Sequence, residues 1–189
     1  MRRARLAVLL PTAVLLCAGH ALGAARPSVD QLIQRLKDPA ARVRVAAADD
    51  LGSLGPAARS AVPALTQALS DESQFVQISA ARALGQVGPA AASAVPGLVE
   101  TLKDRHTAVR ETSALALGSL GPAAQEAIPA LAEALTDRIA IVRKAAARSL
   151  GAMGPAAKAG IPALTDALRD KDPSVRTSAN QALKKIQAR

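Results

Sequence analysis

The sequence has almost no aromatic residues and very little cysteine or histidine. Phe75 is the only aromatic residue among 189, so no series of rings is available on which nucleic-acid bases could stack. The single cysteine, Cys17, excludes an intrachain disulfide and a zinc site built from several thiolates. Half of the residues are apolar, mostly small or medium aliphatic ones, and this composition favours closely packed helices over strands.

Sequence patterns that signal catalysis are also missing. The chain contains neither H-E-x-x-H nor G-x-S-x-G, and it has no glycine-rich phosphate loop. His106 is the only histidine beyond the N-terminal segment, and one imidazole forms neither a metal site nor a triad. We therefore predict no catalytic, cofactor-binding or metal-binding residues. We expect Phe75 to pack in the core or to fill a gap at a helix start, and a binding anchor is the alternative.

The N-terminal segment differs from the rest of the chain. A start with three arginines is followed by an uncharged apolar stretch and then by small residues before Ala24. This order is typical of a secretory signal peptide, which we predict over residues 1–23. An uncleaved membrane anchor is the alternative, because residues 6–25 are about long enough to span a bilayer. Cleavage would remove Cys17 and lower the formal net charge from +9 to +6, leaving an exported, periplasmic or secreted chain without an integral membrane span.

The remaining sequence repeats with a period of 33 residues. The segment "LGSLGPAARSAVPAL" begins at Leu51, and closely similar segments begin at Leu84, Leu117 and Leu150. Aspartate, valine, leucine, glycine and proline recur at matching positions in each copy. Identity this dense at a fixed period indicates an array of repeated structural units.

Each unit has the pattern of two helices. The segment "PALTQALSD" places Leu65 and Leu69 on one side of a short first helix. The segment "SQFVQISAARALGQVG" places its apolar residues on one stripe of a longer second helix, and we expect Gly88 to end that helix in a left-handed cap. We attribute the glycines of the "LG" and "GP" positions to turns rather than to phosphate binding.

Prolines near the helix starts give further local predictions. An Asp-Pro pair at residues 38–39 and another at residues 172–173 indicate an aspartate N-cap followed by proline at the first helical position. Val62 precedes Pro63, and a residue before proline favours an extended conformation.

These patterns predict an all-α fold, a right-handed α-solenoid of about five helix pairs in a domain spanning residues 24–189. The terminal units depart from the common pattern and are polar, as the ends of a repeat array should be. The units are approximately residues 28–55, 56–88, 89–121, 122–154 and 155–189.

The common pattern, D-x₄-VR-x₃-A-x₂-LG-x₂-GP-A-A-x₃-[VI]-P-x-L-x₃-L, resembles the short HEAT-like repeat first associated with phycobilin lyases. The resemblance covers residues 28–187 and is specific for a fold rather than for a function. It implies that the second helices line the inner face of the array. It also implies an alternative function as a lyase-like or accessory component of an enzyme system. The predicted signal peptide and the shortage of cysteine and aromatic residues count against that alternative.

Aspartate and arginine recur six residues apart in four of the five units, and Gln77 replaces the arginine in the second. We interpret these residues as structural, because a residue repeated in every unit maintains the unit. Each aspartate would accept backbone N–H groups at the start of the second helix, and each arginine would pair with that aspartate or with the one of the neighbouring unit. These residues are Asp38, Arg44, Asp71, Asp104, Arg110, Asp137, Arg143, Asp170 and Arg176.

Function is to be sought where the copies differ. Positions two and six residues after the recurring valine do not repeat, and they offer apolar anchors at Ile78 and Leu115. Scattered surface residues without a binding role are the alternative. The candidate partner-binding surface comprises Val45, Ile78, Arg82, Glu111, Leu115, Lys144 and Arg148.

The function predicted from these observations is that of a non-catalytic, exported scaffold or adaptor that binds another protein along its inner face without a cofactor. A permanent structural part of a cell-envelope assembly is the alternative. The positive charge is spread among acidic residues and forms no basic run, so no specific nucleic-acid partner is predicted.

Overall fold

The computed structural model describes residues 27–188, and all regular structure in this range is helical, as predicted. The predicted signal peptide lies outside the described residues. The first helices of the five units are α1 (Val29–Arg35), α3 (Val62–Ala68), α5 (Val95–Thr101), α7 (Ile128–Ala134) and α9 (Ile161–Ala167). The second helices are α2 (Ala41–Ser53), α4 (Gln74–Val87), α6 (Thr107–Leu120), α8 (Ala140–Ala152) and α10 (Pro173–Gln187). Together they form the predicted α-solenoid of five helix pairs.

Short 3₁₀ segments, here called corner segments, join consecutive units. They are Gly55–Ala61, Gly88–Ala94, Gly121–Ala127 and Gly154–Gly160. Within residues 27–188, no helix is both long and apolar enough to cross a membrane.

Neighbouring second helices pack tightly against one another through glycine. A β-carbon at Gly118 would lie 2.8 Å from the α-carbon of Ser149, and one at Gly151 would lie 2.8 Å from the α-carbon of Ala182. Real side chains do not tolerate such short contacts with backbone, so only glycine permits this approach. The prediction that the "LG" glycines form turns is wrong, because they lie inside the second helices and face the next one.

The first helices contact one another much less than the second helices do. The corner segments lie between successive units and contact both the first and the second helices. Because the second helices approach closely and the first helices are spread apart, the layer of second helices is the shorter, inner side of the array.

The corner segments begin at a glycine with positive φ. Gly88 has φ 73° and ψ −146°, so its φ matches the predicted left-handed helix end but its ψ does not. The chain therefore leaves the helix through an extended glycine conformation.

Val62, which precedes Pro63, has φ −51° and ψ −46° and is helical, so the extended conformation predicted for it is wrong. Pro63 lies in the first turn of α3, where its missing N–H removes no intrahelical hydrogen bond.

The two Asp-Pro pairs have different roles. Asp172 is the N-cap of α10 and Pro173 is its first residue, as predicted. Asp38 is not an N-cap, because α2 begins at Ala41 and the backbone N–H of Ala40 donates to Asp38 Oδ1 at 2.8 Å. The carboxylate at residue 38 therefore fixes the turn before the helix, and its predicted N-cap role is wrong.

The candidate binding face and the arginine ladder

Three of the ladder arginines, Arg44, Arg110 and Arg143, each link two consecutive units. The Nε and Nη2 atoms of Arg110 donate to the Asp137 carboxylate of the following unit at 2.7 and 3.1 Å. Its Nη1 donates to the backbone carbonyl of Asp104, in its own unit, at 2.9 Å. A bidentate arginine–carboxylate pair of this kind fixes orientation as well as distance. The arginine therefore pairs with the neighbouring aspartate rather than with its own.

We call the contact between two consecutive units at the ladder a joint. The same arrangement recurs at the first joint, between the first and second units, and at the last joint, between the fourth and fifth units. Arg44 contacts Asp71 at 2.8 Å through both Nε and Nη2, and Arg143 contacts Asp170 at 2.6 and 2.7 Å. Arg176, in the last unit, keeps only the contacts to carbonyls of its own turn. The ladder thus ties the units into one array and ends with that array.

The aspartates of the ladder are held in their charged form. Burial would raise the pKa of Asp137, but hydrogen bonds from Arg110 and from the backbone N–H of Ile139 outweigh it and lower this pKa. The hydrogen bond from Arg143 lowers the pKa of Asp170 against the opposing effect of burial. Both carboxylates are therefore ionised at neutral pH, as the pairing requires.

The ladder is interrupted between the second and third units. Gln77 stands in place of the arginine, and its Oε1 atom is buried without a hydrogen-bond partner in the described part of the chain. Among the described residues, no arginine therefore donates to the Asp104 carboxylate. Its Oδ1 accepts the backbone N–H of His106 at 2.7 Å and lies 3.0 Å from the Nδ1 atom of the same residue.

The exposed side of the second helices, here called the second-helix face, carries unusually exposed apolar side chains. Phe75 on α4 and Ile141 on α8 are 64% and 46% exposed, and they occupy the same position in their units. The expectation that Phe75 packs in the core is wrong, because the adjacent Val76 takes the core position. The face comprises Val45, Phe75, Ile78, Arg82, Glu111, Leu115, Ile141, Lys144, Arg148 and Lys185.

The C-terminal part of this face forms a groove. A space of about 370 Å³ extends across α6, α8 and α10, with Leu115, Arg148 and Lys185 in its lining. Within residues 27–188, neither of these two cations nor Lys144 takes part in an ion pair. A smaller depression beside the groove is lined by Glu111, Leu115, Ile141, Lys144, Ala145 and Arg148. Apolar surface and an excess of positive charge therefore lie together here, with Glu111 as the acidic residue of these two linings.

The N-terminal part of the face is less basic. Arg82 lies 3.3 Å from Asp49, so its charge is compensated by a pair between α4 and α2. Val45 and Ile78, on the same two helices, are half-buried. The structure thus brings four of the seven predicted surface residues together around one depression and places Val45, Ile78 and Arg82 further along the array. Their role in binding stays a prediction.

Three residues of the face were not included in the sequence prediction of the binding surface. Phe75 and Ile141 precede the recurring valine by one residue, and Lys185 follows it by ten. These positions also differ from copy to copy, so the same search for non-repeating positions would have found them if it had covered every outward position. In the described residues, no group of three or more His, Cys, Asp or Glu side chains could hold a metal ion.

Comparison with known proteins places these features in context. The family model of HEAT repeats matches residues 29–102 and 95–184. No curated protein matches the chain. The complex of CpcE and CpcF of phycocyanin lyase from Nostoc sp. PCC7120 is similar, with a TM-score of 0.71 and 28% sequence identity over 88% of this chain and 68% of that one.

Two engineered structures are also similar. One engineered protein has a TM-score of 0.68 and 27% identity over 84% of this chain and 78% of its own. A designed armadillo repeat protein, solved in complex with the peptide (KR)4, has a TM-score of 0.70 and 19% identity over 84% of this chain and 82% of its own. At that identity the second likeness concerns the fold alone.

Proposed function

We propose, from the premise that this chain belongs to the HEAT-repeat family, that it is a non-catalytic scaffold that binds another protein along its second-helix face. The observation that carries this proposal is the exposure of Phe75 and Ile141 on the inner side of the array. Exposed large apolar side chains grouped on one face favour a protein contact, and a solenoid fold offers a long surface for such a contact.

The chemistry of the face specifies the kind of partner. Apolar side chains of the partner would cover Ile141 and the half-buried Leu115, which line one depression. The neighbouring Lys144, Arg148 and Lys185 would attract carboxylates, because none of them is in an ion pair within residues 27–188 and they outnumber Glu111, the acidic residue beside them. The partner we propose is therefore a protein segment that presents apolar and acidic side chains together.

Export is part of the same proposal. The sequence of residues 1–23 supports it, and the partner would then be an exported or envelope protein. N-terminal sequencing of the protein isolated from its natural compartment tests this point. A start at Ala24 is expected, and an intact Met1 would contradict cleavage.

Site-specific photocrosslinking tests the binding face. A photoreactive amino acid at position 141 should capture a partner protein, since this side chain is 46% exposed and its replacement leaves the core intact. The same amino acid at Glu126, which is exposed in the corner segment Gly121–Ala127, serves as the matched control. Capture at Glu126 without capture at position 141 would contradict the proposal.

A charge variant tests the chemistry of the partner. Lys144→Glu combined with Arg148→Glu should weaken binding of the captured protein at least about tenfold, because attraction to its carboxylates becomes repulsion. Binding by the unchanged protein should also weaken as salt is added. If binding is insensitive to both changes, then the partner contacts are not acidic.

The similarity to phycocyanin lyase at 28% identity favours one second candidate, an accessory role in a lyase-like enzyme system. An absorption spectrum of the purified protein distinguishes the two. The chain has no tryptophan or tyrosine and absorbs almost nothing at 280 nm, so a bound chromophore would be visible at once. A spectrum without such absorption supports the scaffold.

A further inference from the structure

We propose that the interrupted joint between the second and third units is a binding site for a guanidinium group, as carried by an arginine side chain of another molecule. This site lies at the turns between first and second helices. It does not depend on binding at the second-helix face.

The intact joints show what the interrupted joint lacks. At the joint of Arg143, the guanidinium bridges the Asp170 carboxylate, at 2.6 and 2.7 Å, and the carbonyl of Asp137, at 2.8 Å. The joint of Arg110 has the same geometry. In each case one planar cation satisfies oxygen atoms of two units.

The interrupted joint keeps the acceptors and lacks the donor. By the 33-residue correspondence, the Asp104 carboxylate and the Asp71 carbonyl stand where Asp170 and Asp137 stand at the intact joint. The two contacts of Asp104 with His106 both use Oδ1, and Oδ2 makes no hydrogen bond with any described residue. In the intact joints, the corresponding Oδ2 accepts the arginine Nε.

The second observation is a buried polar atom without a hydrogen-bond partner. The Oε1 atom of Gln77 is shielded from solvent and has no partner within residues 27–188. Buried polar atoms are nearly always hydrogen-bonded to protein or water, so this oxygen is an acceptor available to an external N–H donor. Gln77 is also shorter than arginine and uncharged, and it cannot neutralise Asp104.

The acceptors favour guanidinium over other cations. A guanidinium presents five N–H donors in a plane and reaches two units at once, whereas an ammonium is a compact charge without that fork. A divalent metal ion prefers several carboxylates, and Asp104 is the only carboxylate identified at the corresponding positions of this joint. The site therefore calls for an arginine side chain.

Thermal unfolding followed by circular dichroism provides the test, since the chain has no tryptophan fluorescence. N-acetyl-arginine amide, at about five times its dissociation constant, should raise the Tm of the unchanged protein by about 3 °C. Guanidinium chloride at low concentration forms the second arm, and N-acetyl-lysine amide is the control. If guanidinium chloride raises the Tm and N-acetyl-arginine amide does not, then the site does not admit an arginine side chain and the proposal fails.

Two variants make the test specific. Gln77→Arg fills the site from within, so its Tm should rise by about 4 °C or more and its response to the arginine derivative should disappear. Arg110→Gln opens an equivalent site at the next joint, so its Tm should fall and its response to the derivative should increase.

Equal responses of the unchanged protein and Gln77→Arg would overturn the proposal. A nuclear magnetic resonance titration gives a second readout that does not depend on stability. We expect chemical-shift changes on addition of N-acetyl-arginine amide, confined to Gln77, Asp104 and His106. A spectrum of the free protein in which the Gln77 amide already donates a hydrogen bond within this joint would also overturn the proposal.

Discussion

The ladder side of the molecule and its second-helix face differ in how their residues vary. The aspartates that meet the ladder arginines occur in every unit, and the glycines between second helices occur in all units but the last. On the second-helix face, the position of Phe75 is held by arginine, alanine, isoleucine and serine in the other units. Positions that repeat hold the units together, and positions that vary make one unit different from the next. Recognition that distinguishes one unit from another therefore depends on the positions that vary, which include the second-helix face and Gln77 at the interrupted joint.

Among the positions that repeat from unit to unit, the largest loss of stability is expected from Gly151→Val. A side chain at this position meets the backbone of Ala182, so α8 and α10 must separate, at a cost of about 3 kcal/mol. Ala152→Val is the matched control, because residue 152 is exposed and a change there should cost less than about 0.5 kcal/mol. Urea unfolding measures both values. Equal stabilities of the two variants would show that the close helix contact is unimportant.

The second largest loss of stability is expected from Arg143→Gln. The variant loses a bidentate contact and leaves Asp170 without a counter-charge, which should lower the free energy of unfolding by about 2 kcal/mol. Arg148→Gln on the second-helix face is the control, and its stability should stay within about 0.5 kcal/mol of the unchanged protein. An equally large loss of stability in Arg148→Gln would contradict the distinction between repeated positions that stabilise the fold and varying positions that do not.

A smaller effect concerns pH. Because the folded protein holds the pKa of Asp137 and Asp170 below the ordinary value of about 4, the unfolded chain takes up protons first as the pH falls. The stabilisation that these two carboxylates provide should therefore be complete at pH values above the unfolded pKa and should be lost progressively as the pH falls through and below it. Arg143→Gln should show a shallower decrease, which urea unfolding across pH 2 to 6 would measure, roughly spanning these titrations. An identical pH dependence in both proteins would contradict the role of the ladder.

The smallest effect on stability is expected from Phe75→Asp combined with Ile141→Asp. Phe75 is mostly exposed and Ile141 nearly half exposed, so their replacement should change the free energy of unfolding by less than about 0.5 kcal/mol each. Urea unfolding is again the measurement. A larger loss would show that these side chains support the fold.

The repeat made most of the fold predictable from the sequence. Because the same apolar stripe recurs every 33 residues, the helix pairs, their number and the buried positions follow from the pattern. Local rules were less reliable. Val62 is helical although proline follows it, because the start of α3 fixes its conformation. The partner of each ladder arginine depends on the distance between units, which no local pattern contains.

The candidate site was less predictable than the fold. Phe75 was expected in the core because of its residue type, whereas its exposure follows from Val76 occupying the core position beside it. The groove at Leu115 depends on how three helices from different units come together, and so it required the structure. The missing arginine at Gln77 was visible in the sequence, but its buried, unpaired oxygen was not.

The affinity of the protein captured at position 141 tests the central claim most directly. Isothermal titration should show at least about tenfold weaker binding to the Phe75→Asp, Ile141→Asp variant, whose stability is expected to change little. It should show unchanged binding to Arg143→Gln, whose stability is lower, as long as that variant is folded. Unchanged affinity of the first variant, or loss of binding by the second, would contradict the assignment of binding to the varying positions and of stability to the repeated ones.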